Sequence, residues 1–353
     1  IMAYTTIDDP TAYFQTKLYT GNSSTQSITF DGNTNMQPDW VWIKSRSATE
    51  WHQVHDSVRG VAKYLFTNTD SAEGERSPND QVTSFNSNGF SLGAGANDSV
   101  NSNGGTYASW NWKAGTALNN SAGANGGSIA TTGSISSTSG FGIVKYVGTG
   151  SNATIYHGLG KIPRMIITKN IDQSFHWSVY TFHSNTKILR LNGTNGEATE
   201  TAFQSTHPTT TIQSLGDHNQ NNGSGDTHIS YMFCDVPGYQ KIGSFSGNSS
   251  ATDGVFIPLG FRASFFMCKR INTSGHDWVI FNNKALGYNP DNNTLLANSN
   301  AAEGTADRMD ILSNGVKMYN NNGSENESGG EYIYLAIAES PFVTSTGVPA
   351  TAR

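Results

Sequence analysis

Three short apolar runs organise the chain. They are Pro38-Asp39-Trp40-Val41-Trp42-Ile43-Lys44, Pro163-Arg164-Met165-Ile166-Ile167-Thr168-Lys169 and Arg262-Ala263-Ser264-Phe265-Phe266-Met267-Cys268-Lys269. Large and branched apolar residues follow one another without the in-out alternation of a half-exposed strand, and each run stops at a lysine. A run of this length and composition predicts a strand buried on both faces. A tryptophan follows each lysine by seven to nine residues: Trp51, Trp177 and Trp278. The threefold recurrence sets the reading of the whole chain, because a period of this kind marks a repeated unit.

The flanking patterns recur with the runs. Each repeat opens on an alternating segment: Phe14-Gln15-Thr16-Lys17-Leu18-Tyr19-Thr20, Phe141-Gly142-Ile143-Val144-Lys145-Tyr146-Val147, and Tyr239-Gln240-Lys241-Ile242-Gly243-Ser244-Phe245. Each closes on an aromatic strand after a glycine-rich turn: Thr106-Tyr107-Ala108-Ser109-Trp110-Asn111-Trp112, Thr227-His228-Ile229-Ser230-Tyr231-Met232-Phe233, and Glu331-Tyr332-Ile333-Tyr334-Leu335-Ala336-Ile337-Ala338. Asn88-Gly89 and Asn314-Gly315 sit between alternating segments and predict hairpins. Val58, Val61, Ala62 and Leu65 share one helical face. Gly60 interrupts it, and residues 186–191 and 293–298 lack such a face, so a strand over 63–67 is predicted instead.

This predicts an all-β chain of three tandem β-sandwich repeats, of jelly-roll or laminin-G type, over residues 14–113, 141–236 and 237–340. Opening and closing strands are expected side by side in one sheet. Residues 1–13 read as an N-terminal arm, either pairing with a neighbouring subunit or packing on the first repeat. Residues 341–353 read as a C-terminal tail. Residues 114–140, rich in Gly, Ser, Asn and Ala, read as a linker unable to bury a core. The junction at Asp235-Val236-Pro237-Gly238 is short, so repeats two and three are expected as a rigid pair, with the first on a longer tether.

Composition supports the turn-dense reading. The 353 residues carry only 14% charged side chains, 11% aromatics and 38 glycines. The net charge of −6 and the lack of Lys/Arg blocks argue against a nucleic-acid-binding face. No apolar run reaches a membrane-helix length, so no membrane insertion is expected. The first ten residues lack the basic and apolar regions of a secretory signal. Cys234 and Cys268 lie in apolar runs and read as buried structural thiols; their pairing is undetermined by sequence.

Candidate chemistry is sparse, and no catalytic, cofactor or metal residues are assigned. Gly148-Thr149-Gly150 and Gly158-Leu159-Gly160 lack the following helix that a phosphate cradle needs. His157, His176, His183, His207, His218, His228 and His276 are scattered, and His52 follows Trp51 directly; packing and hydrogen bonding are their expected roles. Asp39 and Asp277 do not pair between repeats as a glycosidase would require. Three loops offer oxygen donors for calcium: Asp31-Gly32-Asn33-Thr34-Asn35, Asp217-His218-Asn219-Gln220-Asn221-Asn222-Gly223 and Asp291-Asn292-Asn293. None completes a helix-loop-helix set, so turn chemistry is the expected reading. Asn-x-Ser/Thr triplets follow from composition and imply no glycosylation. Trp51, Trp177 and Trp278 could stack on sugar rings, but recurrence at one place favours a core role.

Several segments resemble structural proteins of tailed phages of marine bacteria and cyanobacteria, a family that is largely a domain of unknown function. They are Met2-Ala3-Tyr4-Thr5-Thr6-Ile7-Asp8-Asp9-Pro10, Gln37-Pro38-Asp39-Trp40-Val41-Trp42-Ile43-Lys44, Asp56-Ser57-Val58-Arg59-Gly60, Thr83-Ser84-Phe85-Asn86-Ser87-Asn88-Gly89-Phe90 and Tyr332-Ile333-Tyr334-Leu335-Ala336-Ile337-Ala338-Glu339. The resemblance spans nearly the whole chain. It implies a non-enzymatic virion component, in capsid decoration or in tail or fibre, assembled in the host cytoplasm with other virion proteins and as a homo-oligomer. It carries no functional residues. The alternatives are a receptor-binding adhesin for host-surface glycan and, third, a glycan-cleaving enzyme.

Overall fold

A computed structural model describes residues 4–77, 79–94, 99–285, 289 and 291–351. The chain is all-β with antiparallel sheets, and one strand order appears three times. In the first unit the opening strand Phe14–Thr20 pairs with the closing strand Thr106–Trp112, then come the central strand Trp40–Ser45, Gln53–Asp56 and Lys63–Phe66. In the second the same order runs Phe141–Val147, Thr227–Cys234, Pro163–Asn170, Ser178–Thr181 and Ser184–Arg190. In the third it runs Gln240–Ser246, Glu331–Pro341, Phe261–Arg270, Trp278–Asn282 and Asp291–Leu296. Opening and closing strands are thus neighbours in each sheet, and the expected strand near residue 63 is present.

Smaller layers cover the outer faces. In the first unit Gln26–Thr29, Gly89–Leu92 and Val82–Asn86 form a separate three-stranded sheet. In the second, Ala153–Tyr156 pairs with Ile212–Leu215. In the third, Phe256–Pro258, Gly315–Met318 and Gly304–Leu312 continue the large sheet itself. Both Asn-Gly turns close hairpins. Glycine is required in each, since a Cβ on Gly89 would strike the Ile28 carbonyl and one on Gly315 that of Ile257.

The central strands are apolar throughout because both faces are buried: in the first and second units each face meets a different core, while in the third Phe265, Phe266, Met267 and Cys268 all join the shared one. Side chains alternate across a strand. Trp40 and Trp42 point into a core shared by all three units, while Val41 and Ile43 point into the first unit's own core. In the second unit Met165 and Ile167 face the shared core and Ile166 the private one.

That shared core overturns the expectation of a tethered first repeat. Trp40 stacks on Tyr231 of the second unit at 4.4 Å between ring centroids. Trp112 and Phe14 meet Phe265 of the third at 5.6 and 5.9 Å. The segment 114–140 is likewise no free linker. Thr116–Asn120 and Thr131–Ser136 form a hairpin on the edge of the second sheet, paired to Phe141–Val147. Leu118, Ile129 and Ile135 are buried, so three aliphatic side chains among the small residues suffice to seat it. Asp39 fixes the junction, accepting from Ala114 N at 2.9 Å and Ser134 Oγ at 3.2 Å.

The N-terminal arm packs on the first unit, where Thr34 Oγ1 donates to Asp9 (2.5 Å) and Thr34 N to Thr11 Oγ1 (3.2 Å), and it also reaches the third unit and the C-terminal tail. Tyr4 donates to the Gly260 carbonyl (2.8 Å), Thr5 Oγ1 to that of Pro237 (3.1 Å), and Asp8 accepts from Ser345 N (2.7 Å). Among the described residues, no helix is long and apolar enough to cross a membrane.

Because the units share one core, the chain should unfold in a single transition. Trp40→Ala removes a buried indole from the centre of that core and should cost about 3–5 kcal/mol in urea unfolding, still as one transition. A variant that loses only one of several resolved transitions would contradict the shared core.

Candidate functional site

The three seams between units follow one pattern, and Trp177, Trp278 and His52 lie there. Each unit donates a backbone N–H to the residue two beyond the next unit's lysine. Glu73 N bonds the Ile171 carbonyl (2.8 Å), Glu197 N that of Ile271 (2.9 Å), and Glu303 N that of Arg46 (2.9 Å). The three bonds close a ring.

A second ring comes from side chains at the start of the next strand. Trp177 Nε1 donates to the Phe66 carbonyl and Trp278 Nε1 to that of Arg190, both at 2.9 Å. The third member is His52, whose Nε2 meets the Leu296 carbonyl at 2.9 Å. Its Nδ1 accepts from Trp42 Nε1 at 2.9 Å, which leaves the proton on Nε2 for Leu296. Burial holds His52 neutral, pushing its pKa well below the usual value.

His52 is the structural counterpart of Trp177 and Trp278. The backbone N–H of each bonds an asparagine side-chain oxygen, from Asn68, Asn192 and Asn298 respectively. Trp51 is therefore displaced by one position. Trp177 and Trp278 are fully buried, in line with a core role, whereas Trp51 is 45% exposed. Sequence spacing concealed this because the loops after the three lysines differ in length.

The three lysines that end the central strands are buried. Lys44 Nζ donates to the carbonyls of Ser45 (2.6 Å) and Ala48 (3.3 Å), Lys169 Nζ to those of Asn170 (2.7 Å) and Gln173 (3.1 Å), and Lys269 Nζ to that of Arg270 (2.7 Å). Each ammonium ties down the loop leading to the seam residue. Burial lowers each to about 8.

At the seam between the first and second units, Arg59 is fully enclosed. It binds Asp56 (2.5 Å), Glu73 (3.1 Å) and the Val54 carbonyl (3.0 Å), and Tyr231 donates to the same Asp56 carboxylate at 2.7 Å. The seam between the third and first units carries Arg46, which engages both oxygens of Glu303.

The remaining candidates are dispersed. Asp31 pairs with Lys17 and Lys284, Asp217 accepts from Thr201, and residues 219–222 form a short helix. The side chains of Asp291 and Asn292 lie outside the described residues. Among the described residues no group of three His, Cys, Asp or Glu could hold a metal. Cys234 and Cys268 are buried free thiols, with Cys234 pushed up to about 12 by burial. His176 contacts Asn192, His276 contacts Arg270, and His207 contacts Tyr180. A cleft of about 240 Å³ lined by Gln15, Asp31, Arg262, Lys284 and Glu339 runs between the first and third units.

The buried lysines give the seams a pH signature. A lysine depressed to about 8 in the folded chain but near 10.4 when unfolded gives the unfolded state the extra proton between those values, so stability from this group rises with pH there. The gap in unfolding free energy, wild type minus Lys269→Met, should rise by on the order of 2 kcal/mol from pH 8 to 10. Comparing the two proteins cancels the opposing titration of the buried cysteines. A gap independent of pH would show that Lys269 is not desolvated.

A search of curated proteins finds no match to this chain. A family model matches residues 9–341, which span the three units and all of the seam residues, and the chain belongs to that family, described as a domain of unknown function (DUF7483).

Proposed function

We propose that the protein is a non-enzymatic structural component of a bacteriophage virion, in capsid decoration or in tail or fibre. It would act through subunit assembly and the presentation of polar loops, with other virion proteins and further copies of itself as partners. In this reading the units are three sandwiches of jelly-roll or laminin-G type, placed by one chain around a common centre. The observation that carries it is the closed ring of seam bonds around one shared core. That ring of backbone bonds, with the Trp177, Trp278 and His52 side chains beside it, fixes the units relative to each other, which is what a building block requires, and the resemblance in the sequence points the same way. Recognition of host-surface glycan is a second reading, favoured by the one exposed indole at Trp51.

Purified particles of the phage encoding the chain provide the test. The chain should be present in them at fixed stoichiometry, and a particle reconstruction should place this three-unit block on the capsid or tail. Its absence from purified particles would end the structural reading.

A further inference from the structure

The approximate threefold symmetry makes one departure informative. In the second unit the residue before the buried tryptophan, His176, meets the amide of Asn192: Asn192 Nδ2 and His176 Nδ1 are 2.9 Å apart. In the third, Asp277 Oδ1 accepts from Asn298 Nδ2 at 2.7 Å. The matching residue in the first unit is Trp51, which has no acceptor to offer. Asn68 still accepts from His52 N at 3.0 Å, so its side chain is held in the same place. Its NH₂ finds no acceptor among the described residues.

The first unit thus puts a fixed, unspent amide donor beside the one exposed indole. The indole is itself supported, packing edge-to-face on Phe66 with centroids 4.6 Å apart, and Phe66 lies against Tyr64 at 5.0 Å. A rigid aromatic face next to a directed donor is complementary to a sugar ring, whose C–H face stacks on the indole while a hydroxyl accepts from the amide. The nearby charges select among sugars. Glu50, which precedes Trp51, acts on the Lys44 ammonium and accepts from Ser99 Oγ (2.9 Å), Asp70 acts on the Lys169 ammonium, and Arg76 is engaged over the Tyr64 ring. A site whose neighbouring charges are engaged with one another favours a neutral sugar.

We infer that Trp51 and Asn68 form a binding site for a neutral hexopyranose unit of a glycan. The site rests on the recognition reading above for its biological use, and it adds a location and a ligand class. The symmetry also explains why it occurs once: the other two units close the same position with an internal hydrogen bond.

The test titrates the full chain with cellohexaose, laminarihexaose, maltohexaose and mannohexaose. Affinity is read by calorimetry and occupancy by protection of tryptophan fluorescence from acrylamide. The other six tryptophans are buried, so accessible quenching reports Trp51. At least one oligosaccharide should bind and protect the indole. Trp51→Ala should weaken that binding at least about tenfold. Asn68→Asp keeps the oxygen that accepts from His52 but removes the donor, and should weaken it about three- to tenfold. Both variants should stay folded, Asn68→Asp melting close to the wild type and Trp51→Ala a few degrees lower for the lost packing on Phe66. Binding that survives Trp51→Ala would overturn the site while leaving glycan recognition elsewhere on the chain. No binding of any of the four by wild type would overturn the site and count against the recognition reading as well. Loss of self-association in Trp51→Ala, with no sugar effect, would overturn it in favour of a contact between copies.

Discussion

The structure depends on central strands that cannot be satisfied by one unit. A strand such as Trp40-Val41-Trp42-Ile43 presents a full apolar row on each side. The outer row is covered by the unit's own small sheet, and the inner row has only the other units to meet. Each buried aromatic side chain contributes roughly 1.5–3 kcal/mol by removal from water, so the inner rows alone are worth more than a typical domain's net stability. A cost is visible within the same core. The indole N–H groups of Trp40, Trp110 and Trp112 are buried without an acceptor, each at about 1–3 kcal/mol. The apolar area outweighs that loss. Trp177 and Trp278, by contrast, spend their N–H groups on carbonyls across a seam, so they set register as well as filling space.

One chain carries three units, so one seam has no covalent bridge, the one between the third unit and the first. The side chains there compensate. Arg46 grips Glu303, Lys284 reaches Asp31, and His52 replaces tryptophan while recruiting Trp42 as its donor. The N-terminal arm crosses the same seam to reach Gly260, Pro237 and Ser345. The seam between the first and second units has the peptide connection, and it also holds the Arg59–Asp56–Tyr231 cluster. A buried ion cluster of this kind is weak evidence for added stability, because desolvation offsets the attraction. Its geometry is directional, however, and it joins only those two units, so it distinguishes the correct neighbour from the pseudo-equivalent one.

Much of the fold was legible in the sequence where local rules decide. The doubly buried strands follow from unbroken apolar runs, the hairpins from Asn-Gly, and the strand at residues 63–66 from rejecting a helix interrupted by Gly60. The arrangement of units was not legible, because apolar runs state that both faces are covered without stating by what. Residues 114–140 misled for a related reason. Small residues dominate their composition, but Leu118, Ile129 and Ile135 fall where an edge hairpin needs them. Trp51 misled through counting. Its spacing from Lys44 differs from that of Trp177 and Trp278 from their lysines by only a residue or two, and in a strand one residue decides which face a side chain takes.

That single-residue displacement ties the architecture to recognition. In a ring of equivalent units, a position kept alike three times is bound to the ring, as the lysines and the seam carbonyls are. A position at which one unit departs, while its backbone neighbour keeps the shared bond, is released from that duty. His52 carries the structural role in the first unit, and this frees Trp51 to face solvent without weakening the seam. Asn68 follows the same logic, its oxygen retained for His52 and its amide released. The two freed groups are adjacent because the bond that would have consumed them is one bond, and pseudo-symmetry shows the partner it has in each of the other units.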